Sequence, residues 1–193
     1  MTSIDAGDVA KLRRIVMSSP IIGPIMRRWS SVALPDCWLV AGVIAQTVWN
    51  DAFGFAPEHG VADIDLVYFD TGDLSEATER AHETRVRQAF AGVPAKFDLK
   101  NEARVHLWYE TKFGVAIAPY TSAANAIGTF PTTATSIGIR PDGAGVAVVA
   151  PFGLADLLGL TVRPNKTQVT REVYEAKTRR WRAAWPGLTI IDW

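Results

Sequence analysis

The chain has 193 residues, of which 48% are hydrophobic, and its 20 basic and 20 acidic side chains balance. This length and composition predict a single domain over 1–193, and the balanced charge argues against a general nucleic-acid binder or an acidic tail. The single cysteine, Cys37, excludes an internal disulfide framework and a cysteine-based zinc site. No stretch is typical of a membrane span or an export signal, so a cytoplasmic protein is expected.

The first half of the chain alternates helical and strand patterns. Apolar residues at helical spacing predict helices over 5–17 and 21–33, which form a helical lead-in to about residue 33. A core over about 36–162 follows. Its first elements are expected to be a strand at 37–42, a helix at 43–53, a strand that contains Asp63 and Asp65, a long helix after residue 70, and a strand at 95–101.

The second half continues this core and adds a helix at the C-terminal end. The predicted elements are a helix over 102–114, a short helix in "SAANAIGTF", a hairpin around "PDGAG", a short helix in "GLADLLGL", and a last helix at about 167–184. The whole pattern predicts an α+β fold in which a small mixed sheet packs with helices, with helical additions at both ends.

The stretch "VADIDLVYFD", residues 61–70, contains two aspartates within an apolar strand. Aspartate disfavours strands, whereas the surrounding residues favour them. Alternate side chains of a strand share a face, so Asp63 and Asp65 point the same way. Two carboxylates this close repel each other unless a cation or a proton lies between them.

A third carboxylate is expected on the same surface. Asp98 lies in "KFDLK" and shares one strand face with Lys96 and Lys100. If this strand pairs with the one at 63–69, three carboxylates and two ammonium groups meet on one sheet face. Hard oxygen ligands suit Mg²⁺, which completes its coordination shell with water and substrate phosphates. A magnesium site at Asp63, Asp65 and Asp98 is therefore predicted.

This order of elements resembles a known superfamily. A strand ending in glycine, a helix, a strand with Asp-x-Asp and a later strand with one more aspartate resemble the nucleotidyltransferase superfamily of DNA polymerase beta. The chain is also similar to a bacterial family of nucleotidyltransferase proteins, from about residue 34 to its end. The matching stretches are "LPDCWLVAG", "DIDLVYFD", "NEARVHLWYETKFG", "PYTS", "PFGLADLLGLTVRPN" and "RRWRAAWP".

The resemblance implies a fold, a reaction and a set of site residues. It implies a polymerase-beta-like core and a Mg²⁺-dependent nucleotidyltransferase that moves a nucleoside monophosphate from an NTP to an acceptor: a small molecule, an RNA or a protein. Asp63, Asp65 and Asp98 would be the catalytic metal ligands for two ions, for which Mn²⁺ can substitute. The candidate nucleotide-binding residues are Gly42, Lys100, Arg104, His106, Tyr120 and Ser122. No feature of the sequence indicates an oligomeric state.

The phosphate half of the site departs from the superfamily pattern. Gly42 is followed by Val43, where the superfamily has glycine or serine to hold the triphosphate. Ala45 stands where the resemblance leads us to expect arginine, and the spacing from Gly42 to Asp63 is longer than usual. These departures keep an alternative hypothesis open: a catalytically weak or inactive nucleotide-binding or regulatory module on the same fold.

Two other motifs compete with the metal-site interpretation. "FDTGD" is similar to the Asp-Thr-Gly turn of aspartic proteases, but a charged helix follows it in place of the expected strands. An EF-hand loop is excluded, because apolar Val67 and Tyr68 stand where a ligand and a glycine are required.

His106 lies among apolar residues, which favours a structural histidine over a catalytic one.

The C-terminal stretch "REVYEAKTRRWRAAWP" permits two interpretations. Its basic residues, interleaved with Trp181 and Trp185, are typical of surfaces that stack nucleic-acid bases. Tyr174, Trp181 and Trp185, however, fall on one helical stripe, which favours packing against a core with Lys177 and the arginines on a solvated face.

Overall fold

The structure is a computed structural model that describes residues 4–193. The first three residues of the predicted helical lead-in lie outside the described residues. The described chain contains eight α-helices: α1 (Ala6–Ser18), α2 (Ile22–Arg27), α3 (Gly42–Phe53), α4 (Glu76–Ala89), α5 (His106–Phe113), α6 (Ala123–Ile127), α7 (Ala155–Leu158) and α8 (Arg171–Ala184). Its seven strands are β1 (Trp38–Val40), β2 (Asp63–Tyr68), β3 (Lys96–Asn101), β4 (Gly138–Asp142), β5 (Gly145–Val149), β6 (Thr161–Val162) and β7 (Thr189–Ile190).

Five of the strands form one mixed sheet in the order β3-β2-β1-β4-β5. Strand β1 is antiparallel to both β2 and β4, whereas β2 and β3 are parallel and are joined through α4. The predicted hairpin around "PDGAG" is formed by β4 and β5. The predicted α+β class with a small mixed sheet is therefore confirmed. Strands β6 and β7 form a separate two-stranded parallel sheet.

The larger of two hydrophobic clusters lies on one face of the main sheet, and a smaller one that includes Val40 and Val67 lies on the other. Leu39, Ile64, Leu66 and Leu99 point to the face of the larger cluster and are at most 1% exposed. Helices α3 and α4 cover them, because both helices contribute buried apolar residues to the same cluster. Strand residues between these core positions point to the opposite face, where the candidate site lies.

Helix α8 packs on this core through aromatic side chains. Trp49 of α3 makes edge-to-face contacts with Trp181 and Trp185, with ring centroids 5.4 and 5.2 Å apart. Trp185 Nε1 donates a hydrogen bond to Asn50 Oδ1 at 2.7 Å. Tyr174, Trp181 and Trp185 are all buried. The core-stripe interpretation of this helix is confirmed, and its tryptophans are not exposed for base stacking.

Three predicted helices differ in their bounds. The second ends at Arg27 and is followed by a 3-10 turn at Trp29–Ser31. The helix expected over 102–114 is interrupted, because the Asn101 side chain accepts a hydrogen bond from the Ala103 N–H and a separate 3-10 turn forms there. The last helix begins at Arg171, four residues later than expected, because the Thr170 side chain caps it.

None of the helices in residues 4–193 is both long enough and apolar enough to span a membrane.

The short strands β6 and β7 were not predicted, since two residues carry no measurable alternation.

Candidate active site

Three aspartates lie on one face of the sheet, where β2 and β3 run side by side. Asp65 is directly opposite Asp98, and Asp63 is opposite Lys96. In parallel strands, opposite residues and residues two positions apart point to the same face. The predicted pairing of these strands is therefore confirmed, together with the shared face. The catalytic and metal-binding roles of the three carboxylates stay predictions.

Asp65 lies in the least favourable environment of the three carboxylates. Burial raises its pKa to about 6, and the charges of Asp98 and Asp63 add to this rise. The ammonium groups of Lys177 and Lys100 act in the opposite direction. At neutral pH the protein therefore holds an ionised Asp65 against desolvation and repulsion, which a bound cation would relieve.

Lys100 already forms an ion pair with Asp98. Its Nζ lies 2.7 Å from Asp98 Oδ1. Burial by itself lowers the pKa of Lys100, but the hydrogen bond and charge of Asp98 outweigh burial and leave the pKa raised. The angles of this contact are unfavourable for a hydrogen bond, and the buried Oδ1 has no other partner among the described residues. The contact therefore acts mainly through the attraction of opposite charges. Asp98 thus presents an oxygen that a cation can take over.

The donor set suits a hard cation but is not assembled around one. Carboxylate oxygens are the ligands that Mg²⁺ and Mn²⁺ prefer. Within residues 4–193, no group of three or more His, Cys, Asp or Glu side chains is arranged to hold a metal ion. Asp63 is exposed, and Lys100 occupies one side of Asp98. Binding of metal would therefore require the Asp63 and Lys100 side chains to rotate.

Strand β1 ends beside these carboxylates and leads directly into α3. Val40 is opposite Asp65, and the next residue, Ala41, has φ 58° and ψ −123°. This is a left-handed conformation that favours glycine and is found in strained turns at functional sites. The structure thus places the special turn residue at Ala41. Gly42, which the sequence predicted as the end of the strand, is the first residue of the helix.

The start of α3 offers a backbone donor in place of a side chain. No side chain caps the helix, and among residues 4–193 no hydrogen bond uses the N–H of Gly42 or Val43. Val43 is fully buried, whereas Gly42 is partly exposed, so an incoming ligand would meet the Gly42 amide first. An unpaired amide at the positive end of a helix favours an anion. This donor does not depend on a hydroxyl at position 43.

A cleft of about 1110 Å³ begins next to the carboxylates. It is bounded by α5 and the segment after it on one side and by α8 with the segment before it on the other. Lys100, the ion-pair partner of Asp98, and Lys177 of α8 both line it. Burial and the charge of Arg180 lower the pKa of Lys177, whereas Asp65 raises it. The same two lysines, Lys100 and Lys177, therefore line the cleft and act on the carboxylates.

Tyr120 also lines this cleft, but Ser122 does not. The Tyr120 hydroxyl lies 3.0 Å from Thr129 Oγ1 and accepts a hydrogen bond from Gln168 Nε2 at 2.8 Å. Ser122 Oγ accepts from the Asn125 N–H and caps α6. The nucleotide-binding roles of both residues stay predictions, and the structure places Tyr120 where such contact is possible.

Arg104 and His106 lie outside the cleft lining. Arg104 is 9% exposed, and its Nη1 donates to Glu79 Oε1 at 2.9 Å while its Nε donates to the Leu74 carbonyl at 3.1 Å. These contacts connect the turn after β3 to α4 and to the segment before it. Arg104 would have to break them to reach a phosphate. His106 begins α5, and its buried Nδ1 has no hydrogen-bond partner within the described residues.

Two residues of the site were not expected from the sequence. Lys177 was assigned to a solvated face, but it is half-buried and close enough to Asp65 to affect its pKa. Glu102 was not considered, although it is a buried acid in the lining of the cleft. Helical spacing carried a signal for Lys177, which lies three residues after Tyr174 and four before Trp181, unlike the exposed Arg179 and Arg180 beside it. Glu102 carried one signal, since it lies four residues after Asp98 and directly follows the same strand.

Comparison with known proteins agrees with this geometry. A family model described as nucleotidyltransferase matches residues 27–190 of the chain. The chain belongs to this nucleotidyltransferase family. A solved NMR structure, described as revealing a CCA-adding enzyme head domain, is similar with a TM-score of 0.77 and 25% sequence identity, covering 95% of this chain and 96% of that one. A search of curated proteins finds no match. The nucleotidyltransferase core expected from the sequence is therefore confirmed at the level of family and fold.

Proposed function

We propose that the protein is a Mg²⁺-dependent nucleotidyltransferase that moves a nucleoside monophosphate from an NTP to an acceptor hydroxyl. The observation that carries this proposal is the register of β2 and β3, which sets Asp65 directly opposite Asp98. A structural role would not require two carboxylates side by side, one with its pKa raised by burial and by the other. Family membership supports the same reaction class.

Asp63, Asp65 and Asp98 would hold the metal, and two ions are expected, with Mn²⁺ as a possible substitute. When bound, divalent ions in such a site stabilise charge on the attacking and leaving oxygens of a phosphoryl transfer. Asp98 would orient the acceptor hydroxyl, since its ion-pair partner Lys100 lines the cleft. Release of Lys100 from Asp98 would then make its ammonium available to the substrate.

The phosphate groups would be held without a serine hydroxyl. The unpaired Gly42 amide at the start of α3 can donate to one phosphate oxygen. Lys100 and Lys177 can neutralise others, because both line the cleft and both act on Asp65. Charge-assisted hydrogen bonds of this kind are about twice as strong as neutral ones. On this proposal, the departure at Val43 removes one donor but not the phosphate site.

The test compares three variants that each replace one strand aspartate by asparagine. Purified wild type, Asp65→Asn, Asp98→Asn and Asp142→Asn are incubated with each α-labelled NTP, Mg²⁺ or Mn²⁺, and separate pools of small metabolites, RNA and protein. Asp142 is the matched control, since it is an exposed aspartate at the distal end of β4. Transfer should fall at least about 100-fold in Asp65→Asn and Asp98→Asn, because charge stabilisation by metal is lost. Equal labelling by all four proteins would refute the proposal.

A nucleotide-binding module without transfer is the second candidate. Three observations favour it. Val43 offers no hydroxyl, Ala45 is small, and the exposed Asp63 is not part of an assembled metal-binding group within the described residues. The two candidates differ in one result. A module would bind an NTP in a manner that depends on Asp65 but would label none of the three acceptor pools. The acceptor itself, whether small molecule, RNA or protein, would be identified by the pool that becomes labelled.

A further inference from the structure

The cleft beside the carboxylates extends well beyond the space that phosphates need. Its far wall is apolar and aromatic, formed by Trp108, Tyr109 and Phe113 of α5. The rings of Tyr109 and Phe113 lie 4.5 Å apart between centroids, and those of Trp108 and Phe113 lie 6.5 Å apart. Phe113 is 49% exposed, and Val115 and Val173 on the rim are also exposed. An exposed apolar cluster within a cleft marks a binding surface.

The charge of the cleft is strongly positive around this wall. Four lysines line it: Lys100, Lys112, Lys166 and Lys177. The Lys112 ammonium lies over the Trp108 and Phe113 rings, at 5.4 and 5.3 Å from their centroids. Glu102 is the one acidic residue in the lining, among the residues that the structure describes. This combination suits a ligand that has a planar apolar group and negative charge.

Glu102 is a polar group of the cleft lining that the fold leaves without a side-chain partner among the described residues. It is 6% exposed, and no hydrogen bond or ion pair within residues 4–193 involves its carboxyl. The neighbouring acid, Glu79, differs because both of its oxygens are used, by Arg104 Nη1 and by the Asn101 N–H. A buried carboxyl without a partner destabilises the fold. Burial and the nearby Glu79 raise the pKa of Glu102 to about 8.

We propose that this cleft binds the base of a nucleoside phosphate, with the ring against the aromatic wall of α5 and the Glu102 carboxyl hydrogen-bonded to the base edge. This inference rests on the proposed function and adds to it a base site and a residue that selects the base. A single carboxyl in a largely apolar lining is the kind of polar group that fixes orientation in small-molecule sites. Lys100 and Lys177, the two lining lysines that act on the carboxylates, would contact the phosphates.

Two sources of such a nucleotide are compatible with this chemistry. It is either the NTP that is consumed or a nucleotide acceptor with a free 3′-hydroxyl. Binding is therefore measured with the four NTPs and, separately, with the dinucleotides ApA, CpC, GpG and UpU. Inorganic tripolyphosphate with Mg²⁺ serves as a probe for the phosphate half alone.

The main variant is Glu102→Leu, with Glu110→Leu as the matched control on the exposed side of α5. In the wild type, one of the two ligand sets should show at least about tenfold discrimination among bases, as one or two hydrogen bonds imply. Glu102→Leu should abolish that discrimination and leave tripolyphosphate binding unchanged. Glu102→Gln, which keeps a donor and an acceptor, should retain discrimination. Phe113→Ala, at an exposed position, should weaken binding of all bases about tenfold without affecting tripolyphosphate.

The outcome also separates this inference from the proposed function. If Asp65→Asn abolishes Mg²⁺–NTP binding but Glu102→Leu and Phe113→Ala leave base discrimination and affinity intact, the base site is wrong and the transferase proposal stands. If neither nucleotides nor tripolyphosphate bind the wild type, both are wrong. Loss of discrimination in Glu110→Leu as well would also refute the specific role of Glu102.

Discussion

Where β2 and β3 run side by side, the two faces of the sheet are formed by the same strands but differ in what they contribute to stability. On the core face, Leu66 and Leu99 are buried beneath α3 and α4 and stabilise the fold. One residue away, Asp65 and Asp98 lie opposite each other on the other face, where they repel. Because successive side chains of a strand point to opposite faces, one residue of a strand can pack in the core while the next lies in the candidate site. Replacing a core leucine and replacing a neighbouring aspartate should therefore affect stability differently.

The largest difference in stability is expected between substitutions at two neighbouring positions of β3. Leu99→Ala should lower the free energy of unfolding by about 2–5 kcal/mol, because it leaves a cavity in the core. Asp98→Asn, one residue earlier, should change it by less than about 1 kcal/mol, as expected for a partly exposed side chain. Urea denaturation of both variants tests this contrast. A loss above about 2 kcal/mol in Asp98→Asn would show that the carboxylate has a structural role.

The next effect concerns ligand binding to the acidic face. An NTP with Mg²⁺ at 100 times its dissociation constant should stabilise the protein by about 2.7 kcal/mol. Mg²⁺ alone should stabilise it only weakly, because the carboxylates lack the phosphates that complete the coordination shell. Differential scanning fluorimetry with Mg²⁺, with NTP and with both measures the stabilisation by each ligand alone and by the two together. Equal shifts with and without nucleotide would contradict the proposed site.

Asp65 should also destabilise the metal-free protein in a pH-dependent manner. A pKa raised from 3.8 to about 6 means that the unfolded chain loses its proton first. Stability attributable to Asp65 should therefore fall as pH rises from about 4 to 6 and stay lower above that range, by about 1–3 kcal/mol. Asp65→Asn should remove this fall and be more stable than wild type at pH 7. Denaturation curves from pH 4 to 8 compare the two, and a less stable Asp65→Asn would indicate a satisfied structural carboxylate.

The smallest effect separates two cations of α8. Lys177→Met should leave stability within about 1 kcal/mol and weaken Mg²⁺–NTP binding about three- to tenfold, since it removes one phosphate cation. Arg180→Met, three residues further on and exposed, is the control and should change neither property. Isothermal titration calorimetry distinguishes them. Equal loss in both variants would indicate a general effect of positive charge and not a contact from Lys177.

Much of the sheet could be predicted, because its signals are local. The alternation in 61–70 and in "KFDLK" predicted two strands and the faces of Asp63, Asp65 and Asp98, and the structure confirms their pairing. The aromatic stripe of α8 predicted its packing. Element bounds were less accurate where single side chains decide them. The cap at Thr170 and the Asn101 bond to Ala103 each moved a helix by a few residues.

Side-chain partners were not predictable in the same way. Lys100 and Arg104 were equivalent candidates for phosphate contact, but Arg104 is tied to Glu79 of α4 and Lys100 contacts Asp98. Helical spacing sets Lys177 beside the stripe of Tyr174 and Trp181, but its closeness to Asp65 depends on how α8 packs against Trp49 and Asn50. These choices depend on elements far apart in the sequence.

By itself, the sequence determined the strands that carry the aspartates, the shared face of Asp63 and Asp65, and the family resemblance, because strand periodicity and motif spacing are properties of short segments. Only the tertiary structure decided that Ala41 takes the strained turn, that Glu102 is buried without a partner, and that Lys177 returns to Asp65 across more than half of the chain. Such features arise from burial and charge between distant segments, and these interactions exist only once the sheet and α8 are packed together.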